Sequence, residues 1–509
     1  MASEGMDLGL PPKPSRDSLI AMCRDEPEKA AELILMLWEK VEQLAATVEK
    51  QASIIAAQGV EIEGLKAKLA KNSSNSSKPP SSDKSNPGGA PPPKKTGKKT
   101  GRKPGGQPGH KGTTLERSPA PDHIINLPKP DHCSCGERLS PDGLWGEQQR
   151  QVFDLPEEIK VEVTEYRAPV CECPACGKKN TGSFPEEAAA PVQYGKRVRA
   201  AATYLHVYHL LPYERLAGIF GDLFGCELSA GALPGFIKDG AARAEPLYEK
   251  IRERICAGPF MHNDETGLSI LNKTSWLHVA SNPEYAYFKV TPGRSFEDIR
   301  SVGVLEGYPG RSIHDFLPAY LKFEGLNHGL CNAHHLRDLT GIEELTGQEW
   351  PGKVTGLLLE AKELVESRAA AGEEPGGDEI AKIRATYQEI LMEGYDKNPE
   401  PEPAPGKRGR PARGKALNML DRLAAYEEET MAFIIHGVPF DNNESERDLR
   451  MMKTRQKISG CFRTLDWSNR FAKVRSVIAT AKKKKACVYE ILQKLFSNPP
   501  DAEKLLCET

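Results

Sequence analysis

The stretch Phe260-Met-His-Asn-Asp-Glu-Thr-Gly-Leu-Ser-Ile-Leu271 decides the fold of this chain. It predicts a β-strand, and the runs Trp276-Leu-His-Val-Ala280 and Tyr285-Ala-Tyr-Phe-Lys-Val290 predict two hairpin partners for it. An acidic residue in a central strand is costly unless it is paired or bound to a metal ion. Asp264, in the middle of this run, is therefore a candidate functional residue.

Two further carboxylates stand out by their context. Asp315 follows a short strand-like run, and the segment Asp441-Asn-Asn-Glu-Ser-Glu-Arg-Asp-Leu-Arg450 opens a helix. Asp441 and Glu444 have the spacing of a capping box, which leaves Glu446 to project from the helix face. Three carboxylates on two strands and a helix can hold two divalent cations about 3.5–4 Å apart for phosphoryl transfer. The alternative is that all three are ordinary surface acids.

The cysteines indicate a metal site. Five of the twelve fall within residues 133–176, in the turns Cys133-Ser-Cys135-Gly and Cys171-Glu-Cys173-Pro-Ala-Cys176-Gly. In a cytosolic chain such clustering favours a structural zinc ion over disulfides. The first turn is one residue shorter than the usual spacing, and ordinary reduced thiols are the alternative interpretation. The predicted zinc ligands are Cys133, Cys135, Cys173 and Cys176, with Cys171 and His132 in reserve.

The distribution of charge matters more than the net charge of −2. Residues 78–117 contain 10 basic and 2 acidic side chains, and residues 447–485 contain 13 basic and 2 acidic ones. Such blocks are typical of proteins that bind polyanions, although solvated tails have them too. Arg408-Gly-Arg-Pro411 looks like an AT-hook core, which inserts arginines into a narrow minor groove, and a solvated basic linker is the alternative interpretation. The residues predicted to contact DNA are Lys98, Lys99, Arg102, Lys103, Arg408, Arg410, Arg447, Arg450 and Lys457.

The N-terminal part predicts a long helix followed by a linker. Apolar residues recur every three or four positions from Leu37 to Leu69, as in a coiled-coil seam that pairs two copies, or in one helix lying on its own protein. The Ser-, Pro- and Lys-rich stretch that follows has almost nothing to bury. No window approaches 18 apolar residues, and Met1-Ala-Ser-Glu-Gly lacks the features of a secretory signal, so we expect a cytoplasmic protein.

Several segments, in order, resemble DDE transposases of the insertion sequence 66 family. Within residues 35–495 these segments are Lys71-Asn-Ser-Ser-Asn-Ser-Ser-Lys-Pro-Pro, Gly101-Arg-Lys-Pro-Gly-Gly-Gln-Pro-Gly-His, Ala190-Pro-Val-Gln-Tyr-Gly, His262-Asn-Asp-Glu-Thr-Gly, His314-Asp, Leu330-Cys-Asn-Ala-His-His-Leu-Arg-Asp-Leu, Val438-Pro-Phe-Asp-Asn-Asn with Glu446-Arg-Asp-Leu-Arg, and Gln456-Lys-Ile-Ser-Gly-Cys-Phe-Arg-Thr.

The resemblance implies an α/β fold with an RNase H-like catalytic core that a helical insertion interrupts, an N-terminal coiled-coil helix and a small zinc-binding domain. The family's three acids correspond to Asp264, Asp315 and Glu446. One departure is Asn263, where the family usually has alanine, and another is the contracted cysteine turn.

The expected organisation runs through eight segments. They are an N-terminal helical, coiled-coil segment at 1–70, a disordered basic linker at 71–118, a zinc-binding domain of short strands at 119–186, a helical DNA-binding or connecting region at 187–255, the first part of the core at 256–345, the helical insertion at 346–435, the second part of the core at 436–486, and a C-terminal tail at 487–509.

We therefore predict a DNA transposase in which Asp264, Asp315 and Glu446 ligate two Mg²⁺ ions for cleavage at transposon ends and strand transfer into target DNA. The expected partners are double-stranded DNA, further copies of the chain and possible companion proteins of the element, and no membrane. The main alternative is a catalytically inactive DNA-binding protein of transposase descent. A zinc-dependent hydrolase is a third interpretation, against which the closed cysteine site argues.

Overall fold

The structure is a computed structural model that describes residues 15–69, 115–128, 130–140, 148–229, 231–401 and 413–508. The described residues fall into two compact units. One lies within Met1–Ser85 and Arg337–Gly352, and the other within Asn86–Leu336 and Lys353–Thr509.

The N-terminal part of the first unit consists of two helices, α1 (Arg16–Asp25) and α2 (Pro27–Leu69). The Ser15 hydroxyl caps α1 by accepting the backbone N–H of Ser18 at 3.1 Å. Helix α2 has 43 residues, which corresponds to a rod about 65 Å long. The predicted long helix is therefore present, and its seam residues Leu37, Val41, Leu44, Val48 and Ile55 are all exposed.

The second unit contains a mixed five-stranded sheet in the order β5-β4-β3-β6-β7. Its strands are β3 (Phe260–Ile270), β4 (Lys273–Ser281), β5 (Ala286–Thr291), β6 (Arg311–His314) and β7 (Asn327–Leu330). The first three pair antiparallel, as the sequence predicted, and β6 and β7 continue the sheet in parallel with β3. Leu271 and Asn272 form the tight turn between β3 and β4, both with positive φ (47° and 64°).

Helices α5 (Ala232–Cys256) and α14 (Leu465–Lys483) cover the edge strand β5, and α13 (Asn443–Ser459) packs on β3. Three polar side chains of α14 accept backbone N–H groups of β5: Thr480 from Ala286, Ser476 from Phe288 and Asn469 from Val290, at 2.9–3.2 Å. These bonds satisfy donors that an uncovered edge strand would leave open to another chain.

Helices α3 to α16 follow one another along the described part of the chain, separated by strands and loops. They are α3 (Lys196–Thr203), which continues as a π-helical turn (Tyr204–Tyr208), α4 (Tyr213–Phe224), α5 (Ala232–Cys256), α6 (Phe296–Arg300), α7 (Asn332–Thr346), α8 (Trp350–Ala370), α9 (Gly377–Lys397), α10 (Lys415–Ala425), α11 (Glu427–Thr430), α12 (Ala432–Ile435), α13 (Asn443–Ser459), α14 (Leu465–Lys483), α15 (Val488–Ser497) and α16 (Pro499–Cys507). No helix among the described residues is long and apolar enough to cross a membrane.

The segment expected to be a C-terminal tail is instead part of the core. Helices α15 and α16 bury Leu492, Leu495 and Leu506 completely, against the same cluster that holds the sheet residues. Apolar residues at helical spacing in both segments explain why they fold onto the sheet layer.

The cysteine-rich segment contains one small hairpin, β1 (Val170–Glu172) and β2 (Lys179–Thr181). The short strands predicted across 119–186 are otherwise not formed in its two alternating runs, Gln151-Val-Phe-Asp-Leu155 and Lys160-Val-Glu-Val-Thr-Glu-Tyr166, which are irregular. Val152 and Val163 are almost fully exposed, at 88% and 92%. An alternating pattern produces a strand only where a neighbouring strand and a buried face are available.

Candidate active site

The sheet register brings Asp264 and Asp315 side by side. Strands β3 and β6 pair in parallel, with His262 opposite Ile313. Asp264 lies two residues beyond this pair within β3, and Asp315 lies two residues beyond it, directly after the end of β6, so the two aspartates occupy neighbouring positions where β6 ends beside the central strand. Asn263, the residue before Asp264, is buried and donates a 2.9 Å hydrogen bond to Ser312 Oγ on β6.

Asn442 attaches the start of α13 to the same strand. Its side-chain amide donates to Asn263 O at 2.8 Å, and its carbonyl oxygen accepts from His262 Nδ1 at 3.0 Å. Its backbone N–H points to the buried Cys331 Sγ at 3.1 Å. Glu446 begins the next turn of the helix, with its N–H on Asn442 O, and the anchored helix start therefore directs Glu446 toward the aspartates.

The three predicted acids influence one another electrostatically. Burial raises the pKa of Asp264 well above its usual range, and the charges of Glu265, Asp315 and Glu446 raise it further. Burial also raises the pKa of Asp315, while the nearby His334 and Arg294 oppose this shift. Repulsion among clustered carboxylates is what a bound divalent cation relieves, so the donor set fits a hard metal ion. Even so, no three His, Cys, Asp or Glu side chains in the described part of the chain are close enough together to hold a metal ion.

Three residues near the acids, Glu265, Tyr320 and Arg294, did not emerge from the sequence as members of the site. Glu265 is almost fully buried; it accepts a 2.9 Å hydrogen bond from the Tyr320 hydroxyl and lies 3.7 Å from Arg294 Nη1. Burial raises the pKa of Glu265 to about 7. His334 Nε2 lies 3.8 Å from Glu446 Oε1, which places this histidine beside the third acid. Its neighbour His335 is buried with Nδ1 3.2 Å from Asn332 Oδ1, a structural position.

The predicted capping box at the start of α13 was wrong. Asn442 is the N-cap residue, and Asp441 accepts the N–H of Asn443 at 3.0 Å. Glu444 instead forms an ion pair with Lys483 of α14 and lies 3.7 Å from His262 Nε2. Both acids thus have structural partners, and Glu446 is the acid of this segment whose charge acts on both aspartates, for a reason different from capping.

The two cysteine turns have related geometry. Gly136 and Gly177 both adopt positive φ (95° and 68°), and each donates its N–H to the carbonyl of the first cysteine of its turn. Hydrogen bonds from Cys135 lower the pKa of Cys133. The backbone of Ala175 and then Cys176 lower that of Cys173. Each turn therefore presents a close pair of thiols that favours the thiolate form zinc requires.

Three of the predicted DNA-contacting residues lie within the described part of the chain. Arg447, Arg450 and Lys457 are all exposed on α13. Arg450 follows Glu446 by four residues and Lys457 by eleven, so both extend along the helix face that carries the acid. The other predicted contacts, Lys98, Lys99, Arg102, Lys103, Arg408 and Arg410, lie outside the described residues.

The fold and the site define a mixed α/β protein with two aspartates at neighbouring positions beside its central strand and a basic helix that carries Glu446. The model of the Transposase IS66 family matches residues 191–469, more than half of the chain, and the chain belongs to this family. It is therefore a transposase, and its partner is DNA. The model of a family of unknown function (DUF6444) matches residues 16–116. No curated protein matches the chain.

Proposed function

We propose that the protein cleaves DNA at transposon ends and joins the freed ends to target DNA, using Asp264, Asp315 and Glu446. The observation that carries this proposal is geometric: the parallel pairing of β3 with β6 brings Asp264 and Asp315 to neighbouring positions, and Asn442 ties the start of the helix that carries Glu446 to β3. The strand order, three antiparallel strands followed by two parallel ones, supports the RNase H-like core that the family resemblance implies.

The three acids would hold two Mg²⁺ ions, which when bound supply an activated attacking oxygen and stabilise the leaving oxygen. The protein's own contribution is positioning. The β3–β6 register sets the two aspartates, and Asn442 sets the helix that carries Glu446. The exposed Arg450 on the same helix face would bind the DNA backbone. No covalent intermediate with the protein is needed, because orientation and charge neutralisation suffice for in-line attack.

The test compares wild type with Asp264→Asn on DNA that carries the element's ends, with and without Mg²⁺. We expect Mg²⁺-dependent cleavage and joining in wild type and a loss on the order of 10²-fold or more in the variant. Asp222→Asn, on the exposed face of α4, is the matched control and should retain activity. Joining that survives Asp264→Asn would refute the assigned site. Binding of the ends without cleavage by wild type would favour the alternative, an inactive DNA-binding protein of transposase descent.

Two supporting parts belong to the same proposal. The thiol pairs of Cys133 with Cys135 and of Cys173 with Cys176 would hold one structural zinc ion, stabilising a segment with little apolar core. The exposed seam of α2 would pair with a second copy of the chain, so that one assembly can hold two transposon ends.

A further inference from the structure

Arg294 lies beside the acid cluster formed by Asp264, Asp315 and Glu446. Its side chain is half-exposed, yet two protein contacts hold it. Its guanidinium carbon lies 4.3 Å from the centre of the Trp276 ring, and its Nη1 lies 3.7 Å from Glu265 Oε1. The Arg294 side chain is nevertheless 50% exposed, whereas Glu265 is only 4% exposed. The protein therefore holds one face of the guanidinium, and part of the group remains exposed to solvent, where its N–H donors can reach a ligand.

The backbone on both sides of Arg294 is also fixed. On one side, Thr291 lies 2.7 Å from His278 Nε2 and donates a 2.6 Å hydrogen bond to Gly293 O. On the other side, Ser295 and Asp298 form a reciprocal capping box at the start of α6. A Cβ at Gly293 would collide with the Asp298 carboxylate, so this glycine allows the capped helix to start directly after the loop. The loop therefore holds Arg294 in place before any ligand arrives.

A short chain of contacts connects Arg294 to both aspartates. Glu265 follows Asp264 on β3, and its second oxygen accepts the Tyr320 hydroxyl at 2.9 Å. The Tyr320 ring stacks on His314, 4.6 Å between centroids, and His314 is the residue before Asp315. Arg294 thus contacts the neighbour of Asp264 directly, through Glu265, and is linked to the neighbour of Asp315 through Tyr320 and His314.

We propose that Arg294 binds a DNA phosphate next to the one that reacts, an inference that rests on the proposed function of the acid cluster. A planar guanidinium matches two phosphate oxygens, and stacking on Trp276 together with the Glu265 carboxylate pre-orients it. Among negatively charged acids, a fixed positive group is also what a polyanionic substrate needs in order to approach. Glu265 and Trp276 are then positioning residues for Arg294.

The experiment compares Arg294→Met with a matched control, Arg300→Met. Arg300 has nearly the same exposure, 47%, and also pairs with a carboxylate, that of Glu306, at 2.8 Å. The full chain is titrated with a fluorescent duplex of the transposon end at several salt concentrations, and cleavage is measured in parallel with Mg²⁺. In Arg294→Met we expect the slope of log affinity against log salt to fall by about 1, and cleavage to fall on the order of 10²-fold. The control should change neither.

Several outcomes separate the possibilities. An unchanged salt slope together with unchanged cleavage would overturn the proposal. Recovery of cleavage in the double variant Glu265→Gln/Arg294→Met would also overturn it, because Arg294 would then only neutralise Glu265. If wild type binds the ends but cleaves nothing, the altered salt slope still supports the phosphate site while the proposed reaction fails. If the methionine variant misfolds, Arg294→Gln, which removes the charge and keeps a polar side chain, replaces it with the same expected fall in the salt slope, and an unchanged slope in that variant would equally overturn the proposal.

Discussion

Substitution of Lys483 by methionine should loosen the helix that carries Glu446. Lys483, near the C-terminal end of α14, forms ion pairs with Glu444 and with Asp448, both on α13, and its Nζ lies 3.1 Å from Asp448 Oδ2. The three side chains are 12%, 25% and 18% exposed. Methionine keeps most of the volume of the lysine stem and removes the charge, leaving two acids without a cation between α13 and α14.

The exposed fractions of the three side chains determine how much stability the Lys483→Met variant should lose. Exposed ion pairs contribute roughly 0.2–1 kcal/mol, whereas removing one partner of a fully buried pair costs roughly 3–5 kcal/mol. A group of three side chains that are each less than a third exposed lies between these limits, so we expect a loss of about 2 kcal/mol. If this loss appears as local opening, amide hydrogens of α13 should exchange about 30-fold faster.

Hydrogen–deuterium exchange with mass spectrometry measures this change directly on peptides from Asn443–Ser459. Lys484→Met is the matched control, because the next lysine pairs at 3.3 Å with Glu284, which is 65% exposed and belongs to another part of the fold. That variant should leave exchange in α13 within about twofold of wild type. Equal α13 exchange in Lys483→Met and wild type would refute the argument that this ion-pair group holds the helix.

Three further predictions concern other parts of the chain. Cys176→Ser should remove about one zinc ion per chain by mass spectrometry, while Cys226→Ser should not; equal zinc content would contradict the zinc site. Burial lowers the pKa of His206 to about 4. Between pH 6.5 and pH 4 the unfolded chain therefore binds a proton at this histidine that the folded chain does not, and the free energy of unfolding should fall by about 3 kcal/mol over that range. His206→Asn should flatten that part of the denaturation profile, and an unchanged slope would exclude this cause. On α2, Leu44→Lys should shift the sedimenting species to smaller mass and Ala46→Lys should not; identical masses would count against self-association.

The central hairpin could be predicted from the sequence because its determinants are local. The strand-like runs of β3 and β4 identify the two strands without any distant information. The site acid Asp264 emerged in the same way, as a charge inside an apolar strand pattern. The sequences of α15 and α16 have apolar residues at helical spacing, which predicts two buried helices. The prediction of a C-terminal tail was wrong because it did not take this pattern into account.

The neighbours of the acids could not be predicted, because they depend on contacts between distant segments. Tyr320 reaches Glu265 across 55 residues of sequence, and no spacing rule connects them. The capping-box prediction for Glu444 failed for the same reason. A local hydrogen bond to the helix start competes with an ion pair to Lys483, and a sheltered charged pair is the stronger interaction.

The arrangement around Asn442 shows why the third acid depends on the rest of the fold more than the two aspartates do. The aspartates follow from the pairing of β3 with β6, which the sheet core enforces. Glu446 instead depends on one buried asparagine that hydrogen-bonds His262 and Asn263 and receives support from Cys331. A buried polar network of this kind specifies one geometry when all its members are satisfied and loses it when one is removed. The helix that brings the third carboxylate to the site is therefore fixed by polar contacts to the same strand that carries the first.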